Sequence, residues 1–460
     1  MSERVARAGA IGRPPAKFVT GSILRHILVM TGTGAVGLMA IFVGDLANIV
    51  FLSMLNDVEV VAAVGFASSL VFLAVAAGIG LSIAVTASVA PAIGAGRRTD
   101  ARRLATHGLI FSLTVATILA IVILALLPTL LTLLGATGRT HALAVGYGRM
   151  VIAAMPFLAI AMSCAAILRS LGDATRAMHI TLSGAIVAVV LDPLLIFGAG
   201  LGLDGAALAT IAARLMAASV GLYGALRVHD ALGPVDWERL GADTAAIFAV
   251  ALPAVVTNLA TPFANAWMTA AMSSHGNDAV AGWTVIGRLY PVAFGAIFAL
   301  SGSIGPIIGQ NFGARDGARL EETLVKAVAV TAAFTLVAWL LLALAADGIV
   351  TLFDARGEAA ELILVFCRLV APLFFFLGLL FVSNAAFNTL GRPRLAAALN
   401  WGRATLGTVP LVWLGGAVAG AAGALAGFMA SGIVFGVIAV FLCLRLVRAL
   451  AADWRAHTDC

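Results

Sequence analysis

Apolar runs of about 20 residues or more recur from Ile23 almost to the C-terminus, separated by short stretches rich in Gly, Pro and charge. About 20 such residues let a helix cross roughly 30 Å of hydrocarbon. Only helices or closed barrels satisfy the backbone there, and these runs are too long and continuous for barrel strands. The pattern predicts twelve spanning helices, near 24–54, 59–93, 101–134, 140–169, 175–200, 204–227, 244–274, 278–311, 318–346, 358–389, 394–418 and 423–448. The fold class is an all-α integral membrane protein.

The pattern also repeats. "AAVGFASSLVFLAVAAGIGLS" (62–82) lies over "AGWTVIGRLYPVAFGAIFALS" (281–301), an offset of 219. The same offset brings Gly94-Ala95 onto Gly313-Ala314, and "RSLGDATR" (169–176) onto "NTLGRPRL" (388–395). Six spans per repeat is an even number, so the halves run in the same direction about an axis along the membrane normal. The expected organisation is an N-terminal tail 1–23, a first lobe 24–227, a polar linker 228–243, a second lobe 244–448 and a C-terminal tail 449–460. Two such bundles facing each other suit alternating access, although a channel or a structural pair of bundles shares the architecture.

Charge orients the bundle, because cytoplasmic loops retain Lys and Arg. Arg97, Arg98, Arg102 and Arg103 follow the second span, Arg169 and Arg176 the fourth, and Arg227 and Arg239 the sixth. Arg315, Arg319 and Lys326, then Arg392, Arg394 and Arg403, then Arg445, Arg448 and Arg455 continue the alternation. Both termini are therefore expected on the cytoplasmic side. The first 25 residues carry Arg4, Arg7, Arg13, Lys17 and Arg25 with no cleavable apolar core, which reads as a cytoplasmic tail and not a signal peptide. With 62% hydrophobic and 11% charged residues, the chain could not stay soluble as one globular core. Cys164, Cys367, Cys443 and Cys460 show no metal spacing or paired framework.

Two carboxylates lie inside the spans, both in the first half: Asp45 in "FVGDLANIVF" and Asp192 in "VVLDPLLIF". Each costs at least ~2.5 to 3.5 kcal/mol at a span centre, so such a group usually faces a polar cavity and serves a function. Pro193 lets the helix bend behind Asp192, which leaves a buried cap at a kink as the structural alternative. Two neighbouring carboxylates in low dielectric do not easily both ionise; such a pair holds a proton or a cation and releases it to water.

The motifs "GDLANIVF", "AAVGFASS", "APAIGAGRRTDARR", "LRSLGD", "LDPLLIFGAGLGLDGAALAT" and "IGQNFGARDGARLEE" resemble those of the multidrug and toxic compound extrusion (MATE) family, over about residues 24 to 448. The resemblance implies a cation-coupled exporter with two lobes around a central cavity. It carries three roles over: Asp45 as the acid of the first helix, Asp192 as the acid of the "LDP" motif, and Thr210 in "GAALAT" as a hydroxyl joining them. The family often has an Asn four residues before the "LDP" aspartate; here that place is Ala188, one oxygen ligand fewer, which favours H⁺ over Na⁺ as coupling ion. Its NorM branch places a Glu eight residues after the proline of the seventh helix; here Thr261 follows Pro253 at that distance, which is closer to the DinF-like branch. The family's proline in the first helix is missing too, so "TGTGAVG" (31–37) must supply pliability. One charge moved through ~100 mV is worth about 2.3 kcal/mol, enough for roughly fifty-fold uphill transport.

Phe263, Trp267, Trp283 and Tyr290 offer faces to a flat or cationic ligand, or serve as packing and interfacial anchors. Arg214, one turn after Thr210, either pairs with Asp192, tunes the proton site, or snorkels to an interface. Arg288 in the cavity would favour anionic or zwitterionic compounds. "GAGRRTDARR" lacks the Lys-Ser/Thr of a phosphate loop and reads as a helix connection. The expectation is a monomeric bacterial inner-membrane antiporter exporting amphipathic, cationic or zwitterionic drugs in exchange for H⁺, with Na⁺ as the alternative ion, membrane lipids as its surroundings and neither cofactor nor nucleic acid involved. A lipid-linked oligosaccharide flippase is the rival; an intramembrane enzyme would need a nucleophile or metal cluster, and no His lies at ligand spacing in a span.

Overall fold

The computed structural model describes residues 16–458, so Arg4, Arg7, Arg13 and Cys460 lie outside the described residues. Among the described residues every regular element is helical. Nine runs among them are long and apolar enough to cross a bilayer, and two further crossings are bent pairs. The helices are α1 (Ile23–Ser53), α2 (Val58–Gly94), α3 (Arg98–Leu133), the pair α4 (Gly138–Ala153 and Met155–Ser170, bent by 41°), α5 (Ala174–Gly198), α6 (Gly202–Val228), α7 (Trp237–Ser273), the pair α8 (Asn277–Ala293 and Gly295–Gly313, bent by 48°), α9 (Gly317–Leu352) and α10 (Gly357–Thr389). The final run, Pro393–His457, holds two crossings, because Ala419 (φ −138°) and Gly420 (φ +59°) break it into α11 (393–418) and α12 (421–457). That makes the twelve expected spans, with most boundaries within a few residues.

Aspartates start several helices by accepting the orphan amides of the first turn. The Asp57 side chain takes the Glu59 and Val60 amides, Asp173 that of Arg176 and Asp316 that of Arg319. Asp236 does the same for Arg239, and this cap begins α7 seven residues before the apolar run does. The polar link between α6 and α7 thus shrinks to residues 229–236. It is held by Arg102, which reaches Asp230 and the Leu232 carbonyl, and by His107, whose Nε2 accepts the Asp236 amide. The His107 proton therefore sits on Nδ1, 2.7 Å from Asp243.

The repeat is visible in the turns. Left-handed residues fall at Gly96 and Arg315, Gly135 and Asp354, Gly138 and Gly357, and Gly172 and Gly391, each pair 219 apart.

With twelve crossings, both ends of the described chain lie at one face, here the terminal face, and the halves close on each other there. A Cβ on Gly94 would fall 1.9 Å from the Gln310 carbonyl oxygen, and one on Gly313 would fall 1.9 Å from that of Pro91. Only glycine allows these two backbones to touch. Across the seam Gly34 meets Ala299, Gly80 meets Val255 and Gly295 meets Met39. The chain before α1 seals the face: Phe18 is buried, its amide donates to Gln310 Oε1 (2.8 Å) and its carbonyl accepts from Arg319 (2.7 Å). Gln310 Nε2 donates to the Ser170 carbonyl (2.7 Å), and Lys17 to that of Gly172 (2.6 Å). Toward the opposite face the ion pairs stay within one half: Arg139 with Asp57 and Glu59, and Arg368 with Asp347.

Candidate functional site

Four helices of the first half place both predicted carboxylates within reach of one buried tyrosine, Tyr147. Pro193 has no amide to continue the α5 ladder, and the helix widens into a π turn over Leu194–Gly198. Asp192, on the last α-helical turn, is 1% exposed. Its Oδ2 accepts from Asn48 Nδ2 of α1 at 3.0 Å, and its Oδ1 has no partner among the described residues. Asp45 lies one turn before Asn48, in a position shared along one helix face. More than a third of Asp45 is exposed and its side chain makes no hydrogen bond among the described residues, so the carboxylate is presented to open space while Asn48 reaches its neighbour.

Thr210 of α6 donates to its own helix at the Ala206 carbonyl (3.0 Å) and adjoins the hydroxyl of Tyr147, a buried α4 residue. Tyr147 lies within electrostatic reach of Asp45, Asp192 and Arg214. Arg214 makes no ion pair with Asp192. Its guanidinium donates instead to the Val151 carbonyl, beside the break in α4 at Ala154, and its charge reaches Asp45 and Tyr147. Pro156, just past that break, brings no amide to the ladder, and a cation at the bent turn supplies a donor. Ala188 contributes no side-chain oxygen.

Asn48 and Tyr147 were not among the residues expected at this site. Asn48 had a signal, as a second polar residue three positions after Asp45 in an apolar run; Tyr147 had none in one dimension.

The second-half residues scatter. Phe263 is exposed and its ring sits 5.4 Å from that of Trp401. Trp267 lines an open cleft of about 400 Å³ between α7 and α11, with His275, Val412 and Trp413. Trp283 is not at a cavity: it is 5% exposed, donates to Thr269 Oγ1 (3.0 Å) and packs edge-on against Phe428. Arg288 is exposed and makes no ion pair among the described residues. Tyr290 accepts from Asn265 (3.1 Å) and stands near Arg403. Arg403, expected among the cytoplasmic loop cations, lies ten residues into α11 and is 2% exposed. Among the described residues no group of three His, Cys, Asp or Glu converges as a metal site. Cys164, Cys367 and Cys443 are buried free thiols.

Twelve spans in two repeated halves, with ionisable groups held at membrane depth, are the build of a secondary transporter. The chain belongs to the MatE family, whose model matches residues 34–194 and 253–414, two segments that begin 219 residues apart. It is 28% identical to the FAD transporter of Shewanella oneidensis, over 95% of this chain and 98% of that one. It is 25% identical to the multidrug export protein MepA of Staphylococcus aureus, over 65% of each. Its fold matches that of a mutant of the Vibrio cholerae MATE transporter VcmN, with a TM-score of 0.87 at 24% identity, covering 94% and 97% of the two chains. An outward-facing multidrug resistance MATE family transporter gives a TM-score of 0.88 at 22% identity, over 95% and 99%. These relatives point to a transporter and not an enzyme, and they do not favour the flippase alternative.

Proposed function

We propose that this transporter exports amphipathic organic compounds across the bacterial inner membrane in exchange for H⁺, by alternating access, as a monomer that uses no cofactor. One observation carries the reading: Asp192 is buried at membrane depth with one oxygen bonded to Asn48 and the other unpartnered. A buried carboxylate oxygen without a donor is costly as an anion, and a proton there removes the cost. The oxygens within reach, from Asp45, Asn48, Tyr147 and Thr210, are few and Ala188 adds none, which favours H⁺ over a hard cation that wants six or so ligands.

In this reading Asp45 takes the proton from the open side, and its loss of charge is felt through Asn48 and Asp192. The outer part of α1, where Val43 and Leu46 are exposed, then bends above the point at which Gly34 and Gly37 press on α8 and α5. The basic loops support a terminal face that looks into the cytoplasm. The conformation described is then closed inward and open outward, and the cavity between the halves loses substrate as α1 moves.

The test is efflux of a fluorescent dye or flavin from proteoliposomes under an imposed pH or Na⁺ gradient, comparing native protein with Asp45→Asn and Asp192→Asn. A pH gradient should drive efflux and either variant should abolish the coupling. Undiminished gradient-driven transport in Asp45→Asn would sink the mechanism; efflux driven by Na⁺ alone would replace the ion.

A further inference from the structure

The two halves are repeats in shape but differ in the ionisable groups within their spans, the first carrying Arg149 and Arg214 besides its acids. The first holds Asp45 and Asp192 within its spans; in the second every Asp and Glu from Thr244 to Ala452 stands in a loop or at a span end, and the buried charge is Arg403. Shifted back by 219 residues, Arg403 falls on Gly184, a position with no side chain that packs against the Ala213 carbonyl. The fold therefore builds this helix without an arginine, and the guanidinium needs another explanation.

Arg403 opens a π turn, Arg403–Gly407, and its guanidinium makes no hydrogen bond or ion pair among the described residues. Its Nε is wholly enclosed without an acceptor among the described residues. Buried arginines are nearly always paired, because a guanidinium offers five donors and cannot shed its charge. Tyr290 stands beside Arg403, its hydroxyl fixed by Asn265 as an acceptor and left free to donate. Tyr290 lies five residues before Gly295, across the bend in α8; Gly295 meets Met39 of α1, and Asp45 lies about two turns beyond Met39. Phe263 presents an exposed ring against Trp401, two residues before Arg403 in α11.

We infer that Arg403, with Tyr290 and Asn265, is an anion-recognition point, and that the exported compound carries a carboxylate or phosphate on an aromatic ring system. Two donors of this kind match an oxyanion in place of the missing protein acceptor, and the neighbouring rings take the flat part of the molecule. This narrows the substrate class of the proposed transport reaction, and among the cationic or zwitterionic compounds expected from the sequence it departs from the purely cationic ones. A lipid headgroup phosphate has the same chemistry and is the other source of an acceptor.

The experiment uses full-length protein in nanodiscs and two probes that share one ring system, flavin mononucleotide and riboflavin, which differ by a phosphate. The native protein should bind the phosphorylated probe more tightly by roughly tenfold or more, since a charge-assisted bond is involved. Arg403→Gln should erase the difference by weakening the phosphorylated probe alone, and Arg403→Lys should restore part of it. Equal affinity of native protein for the two probes overturns the proposal, and that measurement needs no variant to fold. A preference that survives in folded Arg403→Gln overturns it as well. If phosphatidylglycerol in the disc removes the preference in native protein and a phosphatidylcholine disc does not, the anion point stands but belongs to lipid, and the assignment to the exported compound falls. Binding is read without a gradient, so failure of H⁺ coupling in the efflux test leaves this result untouched.

Discussion

Gln310 is the place to break the closed terminal face, because one side chain serves three segments. It is fully buried, accepts the Phe18 amide at 2.8 Å and donates to the Ser170 carbonyl at 2.7 Å. Gln310→Ala removes both bonds. While the face stays closed, a buried amide and a buried carbonyl are left unpaired, at about 1–3 kcal/mol each before relaxation. Once it opens, water takes both, so the loss falls on the closed state alone. We expect that state to weaken by about 2–4 kcal/mol, a shift of roughly 30- to 1,000-fold in the closed-to-open ratio. Amide hydrogen exchange of residues 16–26, followed by mass spectrometry in detergent, reads the opening directly. Gln310→Glu keeps the acceptor for Phe18 but loses the donor to Ser170, and should fall between the two. Unchanged protection of Phe18 in a folded Gln310→Ala protein would refute the reasoning, and would mean that the glycine contacts at Gly94 and Gly313 hold the face without it.

Asn48→Ala leaves both oxygens of Asp192 without a donor and should shift the pH dependence of gradient-driven efflux, whereas Asn48→Asp should do so with opposite effect on charge; proteoliposome pH profiles decide. At the α5 cap, burial pulls the Asp173 carboxyl up, but the Arg176 amide, the His229 ring and the Arg176 guanidinium outweigh it and bring it down to about 2. A carboxylate lowered on folding stabilises the fold above its unfolded value near 4, and the contribution is lost as pH falls toward 2. Asp173→Asn should therefore cost up to about 2 kcal/mol at pH 7 and progressively less below pH 4, as thermal unfolding in detergent will show. Trp283→Phe should lower the melting temperature through the lost bond to Thr269, worth about 1 kcal/mol, with substrate affinity unchanged; a selective loss of binding would return Trp283 to the cavity.

Spans and repeat were legible because a bilayer imposes one length on every crossing, and because an offset of 219 leaves its mark on turns as well as on apolar residues. Side-chain direction was not. A helix that is apolar all round has no stripe from which to read its facing, so Trp283 in the core and Phe263 at the surface carry the same signature. Arg403 was grouped with Arg392 and Arg394 because a positive-charge count sees proximity to a loop, whereas α11 already begins at Pro393 and carries the guanidinium inward. The start of α7 was hidden for the opposite reason: residues 237 to 243 are polar, and a hydropathy run cannot register a helix that begins on an aspartate cap. At the proposed coupling site, Asp45 and Asp192 announced themselves by their cost, but Tyr147 comes from a helix whose bend at Ala154 decides what it meets.

The paired glycines of the seam make the halves resemble the subunits of a twofold dimer that happen to share a chain. Gly94 touches Gln310 and Gly313 touches Pro91, and each contact becomes the other when the halves are exchanged. Such an isologous surface must complement itself. Bulk added at Gly94 therefore confronts the same geometry as bulk added at Gly313, and neither half can relieve the strain by adjusting alone. Backbone laid against backbone also leaves no flexible side chain to bridge a partly opened gap, so the seam favours being fully shut or fully parted.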